Sequence, residues 1–175
     1  DAKLDQYEKP PDYDVLREFM PFGAYMDAGS SKRLAAMLGI SLQEYWSLVF
    51  EDFVRHSHNT IAMERIDRFT KEEWYDVLQT ATAFGVRIYA IYNLPLGSPP
   101  AYCNEFIDTH IRPHADSKAI LAWSLHDEPP EYGFDNLLQA RPMLEQADPN
   151  HPMAIIMRDP NAYSLYGRHF PVTGI

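Results

Sequence analysis

One cysteine, Cys103, is all the chain contains, so no disulfide framework can form within it. A lone thiol without an evident base partner reads as inert. Basic residues are also scarce. Lys and Arg number 15 against 25 Asp and Glu, for a formal net charge of −10. That balance argues against nucleic acid and anionic membrane surfaces, both of which are held by basic patches. No uninterrupted apolar run is long enough to span a bilayer. No predicted strand is followed by a glycine-rich phosphate loop, which weakens a nucleotide-binding reading. Residue 1 is Asp with no signal-like leader, and the last residues, RHFPVTGI, offer no helix or cap. The expectation is a processed or trimmed piece of a longer protein. Its compartment is left open.

What is abundant is apolar and aromatic. Hydrophobic residues make up 46% of the 175, enough for one domain with a sizeable core. Aromatics reach 13%, with 11 Tyr and 3 Trp, and aromatic faces suit sugar rings as well as cores.

Residues 1–19 are charged and contain Pro10 and Pro11, and read as a lead-in or linker to a domain over 20–175. A short strand is predicted over 21–26 and a short helix over 30–39. Ser41 and Glu44, then Thr70 and Glu73, have capping-box spacing. Each opens a run with apolar residues at helical period: Leu42 to Val54, with Trp46 and Phe50, and Trp74 to Phe84, closed by Gly85. Strands are predicted over 59–66, 86–94, 119–125 and 151–157. Helices are predicted over 101–114, ended or kinked by Pro113, and over 135–147, with Pro142 inside it. Alternation in units of about thirty residues predicts an α/β fold with a parallel sheet, either doubly wound or a barrel.

The stretch LAWSLHDEPP (121–130) carries Asp127 and Glu128 to the end of an apolar strand. Buried charge is costly unless paired. The pair therefore reads either as a solvated turn that caps the next helix or as the rim of a pocket. Strict alternation would send Leu121, Trp123 and Leu125 toward the helices. Ala122, Ser124, His126 and Glu128 would then face a barrel axis, provided no bulge intervenes.

The segments PFGAYMDAG, FEDFVRHSHNTIAM, ATAFGVRIYAIYN, ILAWSLHDEPPE and LEQADPNHPMAIIM resemble successive units of the (β/α)8 glycoside hydrolases of clan A, over roughly residues 21–160. The likeness is specific around Trp123 to Pro129, where such enzymes place a Trp and an Asn-Glu-Pro on the fourth barrel strand; here the pair is Asp127-Glu128. The resemblance implies a TIM-barrel fold, incomplete at five β/α units, since a full barrel takes about 250 residues. It also implies hydrolysis of an O-glycosyl bond, with retention, and makes Glu128 the general acid/base. The nucleophile of the family ends the seventh strand, and no residue here is assigned to it. Glu64 and Asp159 are conceivable substitutes, but Glu64 has the opposite parity from Arg65 and Asp159 precedes a proline-led loop.

Asp27, Arg65, Tyr92, Asn93 and Arg158 end successive strands and would ring one mouth with Asp127 and His126 as substrate-binding residues. A structural ion pair or loop role is as good an account of each singly, and His126 also reads as a packed histidine. His56 with His58, and His110 with His114, lack the pattern of a metal site, and no cofactor or metal is expected. Carbohydrate is the expected partner, with the rest of the barrel or a second copy covering the sheet edges. A non-catalytic sugar-binding barrel and a metal-dependent barrel hydrolase stand as alternatives.

Overall fold

The computed structural model describes residues 21–96, 103–157, 166, 167, 169, 170 and 172–174. The expected lead-in, residues 1–19, lies outside them, as do Arg158 and Asp159.

Both capping boxes form. Ser41 Oγ accepts from the Glu44 backbone N–H at 3.1 Å, while Glu44 reaches back to the Ser41 N–H at 2.8 Å. Thr70 and Glu73 repeat the exchange at 3.2 and 2.8 Å. These boxes start the helices α2 (Leu42–Arg55) and α3 (Lys71–Phe84). Gly85 ends the latter in the left-handed region, φ 70°, where a side chain would be strained. Ahead of them run β1 (Gly23–Asp27) and α1 (Ala28–Leu38). The remaining elements are β2 (Thr60–Glu64), β3 (Arg87–Ile91), α4 (Cys103–Phe106), β4 (Ile120–Asp127), α5 (Phe134–Ala147), β5 (Met153–Ile156) and β6 (Val172–Gly174).

The sheet order is β1-β2-β3-β4-β5-β6, and every neighbouring pair is parallel. A doubly wound sheet reverses its order at a switch point. This one never does, which is the order of a barrel wall, so the fold is a partial TIM-barrel-like α/β sheet. Five strands were expected; the sixth, Val172–Gly174, is a three-residue segment too short to show periodicity.

Side chains alternate cleanly on most strands. Ile61, Met63, Ile88, Ala90, Met153 and Ile155 join the buried core with Trp46, Phe50, Trp74, Leu78 and Leu137 of the helices. Tyr25, Ala62, Tyr89 and Ala122 form a register-matched row on the other face, and Asp27, Glu64, Ile91 and Ser124 form the next row toward the strand ends. On β4 the alternation breaks twice. Ile88 faces Ile120 while Tyr89 faces Ala122, so Leu121 is an extra residue. Ser124 faces Ala154 while Asp127 faces Ile156, so a second extra residue lies between them. The predicted parity is corrected accordingly. Ile120, Trp123 and Leu125 are the core residues of β4, and Leu121 stays outside that cluster. Asp127 takes the place opposite Ile156 that strict alternation from Ser124 assigned to His126.

Trp123 is anchored from the helix side. Its indole N–H donates to the fully buried Asp148 at 2.6 Å, and Asp148 also holds the His151 ring at 2.7 Å. This buried polar group sits beside the start of β5, away from the strand ends that carry the candidate site, and fixes β4 against α5.

Candidate functional site

The carboxyl ends of β2, β3 and β4, with Tyr25 from the middle of β1, bring four polar side chains into one hydrogen-bonded group. Asn93, just past β3, donates from Nδ2 to Glu64 Oε1 at 2.7 Å. Its Oδ1 accepts the backbone N–H of Asp127 at 2.7 Å. From across the open face, the Tyr25 phenol of β1 donates to Asp127 Oδ2 at 2.7 Å. One amide thus ties the ends of β2 and β4 together, and one phenol ties β1 to β4.

Glu64 is therefore part of the mouth, contrary to the expectation from its parity relative to Arg65. The predicted strand ran on to residue 66, whereas β2 stops at Glu64 and Arg65 leaves in the left-handed region, φ 55°. Alternation from Ile61 and Met63 contained the signal: Ala62 and Glu64 share the face opposite to them. Tyr25 was not singled out at all, although it lies two residues from Asp27 and so shares its face.

Asp27 and Arg65 pair at 2.6 Å, Nε to Oδ2. Asp27 also caps α1, accepting from the Ser30 N–H and hydroxyl, each at 2.7 Å. Burial works against its charge, but the Arg65 guanidinium and the two Ser30 donors prevail and hold its carboxyl at about 2. Burial raises the Tyr25 phenol, and the hydrogen bond to Asp127 with the negative charges of Asp127 and Glu64 raises it further. Tyr25 thus keeps its proton and acts as a hydrogen-bond donor.

Three strand ends leave through non-glycine residues with positive φ: Arg65 at 55°, Asn93 at 62° and Glu128 at 48°. Each costs on the order of 1 kcal/mol or more, and such strain gathers at functional sites. Glu128 is exposed and its backbone N–H donates to the Ile156 carbonyl at 3.0 Å. His126 is half-buried, and its Nδ1 lies 2.5 Å from the Asp127 carbonyl. Tyr92 sits on the helix side, its ring stacked on Phe106 at 3.6 Å. With Asp67, Glu105, Thr109 and His110 these two rings line a separate pocket.

His58, His110 and His114 are packed, whereas His56 is exposed. His110 Nε2 donates to the Phe69 carbonyl at 3.1 Å, and burial lowers His114 to about 4. His58 stacks on Phe22. Among the described residues no group of three or more His, Cys, Asp and Glu is placed to hold a metal ion.

No protein-family profile and no curated protein matches the chain. Solved structures do. A β-glucuronidase of Parabacteroides merdae aligns with a TM-score of 0.53 at 13% identity, over 66% of this chain and 16% of that one. A β-glucuronidase of an uncultured Clostridium species aligns at 0.47 and 12%, over 79% of this chain and 25% of its own. The chain thus spans a quarter or less of the length of either. What it shares with the first is a fold.

Proposed function

We propose that this chain forms part of the mouth of a carbohydrate-binding barrel of the clan A glycoside hydrolase type. The single observation that carries the reading is the Tyr25–Asp127–Asn93–Glu64 group, built from the ends of β2, β3 and β4 and the middle of β1. Barrel enzymes assemble their sites at that end of the strands. The similarity in fold to a β-glucuronidase supports it.

In this reading Glu64 and Asp127 accept hydrogen bonds from sugar hydroxyls, with Asn93 setting their spacing. Glu128 supplies the proton to the leaving oxygen, in a barrel completed by further strands. It stands exposed at the end of β4. Retaining hydrolysis needs a second carboxylate about 5–5.5 Å from the acid. Asp27, Arg65, His126 and Arg158 are assigned to substrate positioning. Tyr92, turned toward Phe106, contributes one ring edge at most.

A second reading, sugar binding without turnover, is favoured by one feature. Glu64 and Asp127 are both already engaged by neutral donors, as suits recognition more than nucleophilic attack.

The test is to titrate the purified chain with a monosaccharide and aryl-glycoside panel, glucuronides included because of the neighbours' name, and to assay release of the aryl group. Binding that is lost in Asn93→Ala is the expected result. Where turnover is seen, Glu128→Gln should reduce it at least about 100-fold on sugars with poor leaving groups and less on activated aryl glycosides. Equal losses on both would remove the acid role. Failure to bind any sugar would remove the reading itself.

A further inference from the structure

We infer that the pocket between the β2 exit and α4 is a second ligand site, distinct from the mouth, and takes a small primary amine: an ammonium group on a short apolar chain. The inference does not rest on the carbohydrate reading.

Asp67, Tyr92, Glu105, Phe106, Thr109 and His110 line this pocket of about 210 Å³. Sites for drug-sized ligands run to roughly 300–1,000 Å³, so this one suits something smaller. Its apolar wall is a stack of three rings. Phe106 lies on Tyr92 at 3.6 Å and 8°, and His110 lies on Phe106 at 5.2 Å and 21°. Four of the lining residues come from α4 and the π-turn over Ile107–Ile111 that continues it. The wide π repeat brings residues four and five apart onto one side, here Glu105 with Thr109 and His110, and such turns are frequent at functional sites.

The observation that points to a ligand is at His110, which is only 6% exposed. Its Nε2 lies 3.1 Å from the Phe69 carbonyl, and a carbonyl only accepts, so Nε2 carries the proton. Burial lowers the ring's pKa and keeps it neutral. Nδ1 is therefore a lone-pair acceptor, and it is buried without a partner. Buried polar atoms are ordinarily satisfied, and this one belongs to a ring that lines a cavity. Asp67 and Glu105 add carboxylate acceptors, and the Thr109 hydroxyl accepts as well. An ammonium group brings three donors and no acceptor, which matches such a lining, while its alkyl chain packs on the ring wall. The surrounding cations leave room for it. Arg68 approaches Asp67 only to 3.8 Å and is 61% exposed. Arg65, whose charge also reaches Asp67, is held by Asp27 at 2.6 Å, and Arg112 is held by Asp108 at 3.2 Å. Lys71 acts on His114. Glu105 makes no ion pair among the described residues.

The experiment is a titration of the chain with n-butylammonium and with n-butanol at pH 7, read by long-range proton–nitrogen NMR of the histidine rings. A saturable shift of His110 Nδ1 is expected, with butylammonium bound at least about tenfold tighter than butanol. Glu105→Gln, at an exposed position, should weaken binding at least about tenfold, and Glu51→Gln on α2 should leave it unchanged. An Nα-acetyl-lysine amide titrated alongside separates the sources: binding as tight as butylammonium assigns the site to a lysine side chain of a partner, weaker binding to a free amine, and either supports the ammonium site. Butanol binding as tightly as butylammonium, a His110 Nδ1 signal that does not move, or equal losses in the Glu105 and Glu51 variants would each overturn the inference. So would the absence of saturable binding.

Discussion

Asp27 shows how much one side chain at a strand end can do. It ends β1, caps α1 through Ser30 and grips Arg65, which leaves β2 through a left-handed turn. Its depressed pKa sets the sign of a pH effect. The folded value of about 2 lies below the ordinary 3.8, so the stabilisation is fully present above about pH 4 and is lost as pH falls through 2. The Arg65 side chain is 41% exposed, so solvent screens the pair. Asp27→Asn keeps a capping oxygen but loses the charge. It should cost about 1 kcal/mol in urea unfolding near neutral pH. The difference from the parent should vanish in strong acid. A cost that does not change with pH would assign the stability to the cap alone.

The elements divide by how local their causes are. α2 and α3 begin at capping boxes and follow a helical apolar period, so a few neighbouring residues specify them. Thr70→Ala should lower stability by about 1 kcal/mol in thermal or denaturant unfolding, because the Glu73 N–H loses its acceptor. Thr70→Ser should restore most of it. The elements containing proline are less local. α4 widens into a π-helix over Ile107–Ile111 and tightens into a 3-10 turn over Arg112–His114 around Pro113. α5 instead runs through Pro142, because Leu137, Leu138, Ala140, Arg141 and Leu144 are all buried along it. Packing there outweighs one missing backbone hydrogen bond.

At the scale of the molecule, the six-stranded sheet has two ends. Among the described residues β1 pairs only with β2, and β6 only with β5. Beside the β1 end, α1 exposes Leu34, Met37 and Leu38 at 43%, 82% and 63%, on one face by their spacing. Phe22, just before β1, is 60% exposed. An open strand edge flanked by apolar side chains invites pairing with another chain. The purified chain should therefore associate as its concentration rises, measured by sedimentation or light scattering. Met37→Lys with Leu38→Glu should shift it toward monomer without loss of helix signal. A parent that stays monomeric throughout would show that this face needs no cover.

The sequence by itself determined the helices with capping boxes, the parallel α/β alternation and the apolar strands, because each depends on residues a few positions apart. It also brought Asp127, Asn93, Asp27 and Arg65 to strand ends. Only the tertiary structure decided which of these meet. An extra residue on β4 sets Asp127, in place of His126, opposite Ile156, and no single-strand period can show a bulge defined by the neighbouring strand. Glu64 joins the mouth because β2 stops one residue before Arg65, and Tyr25 joins it because sheet curvature brings β1 opposite β4. Such contacts link residues up to 102 positions apart, and they depend on how the whole sheet closes.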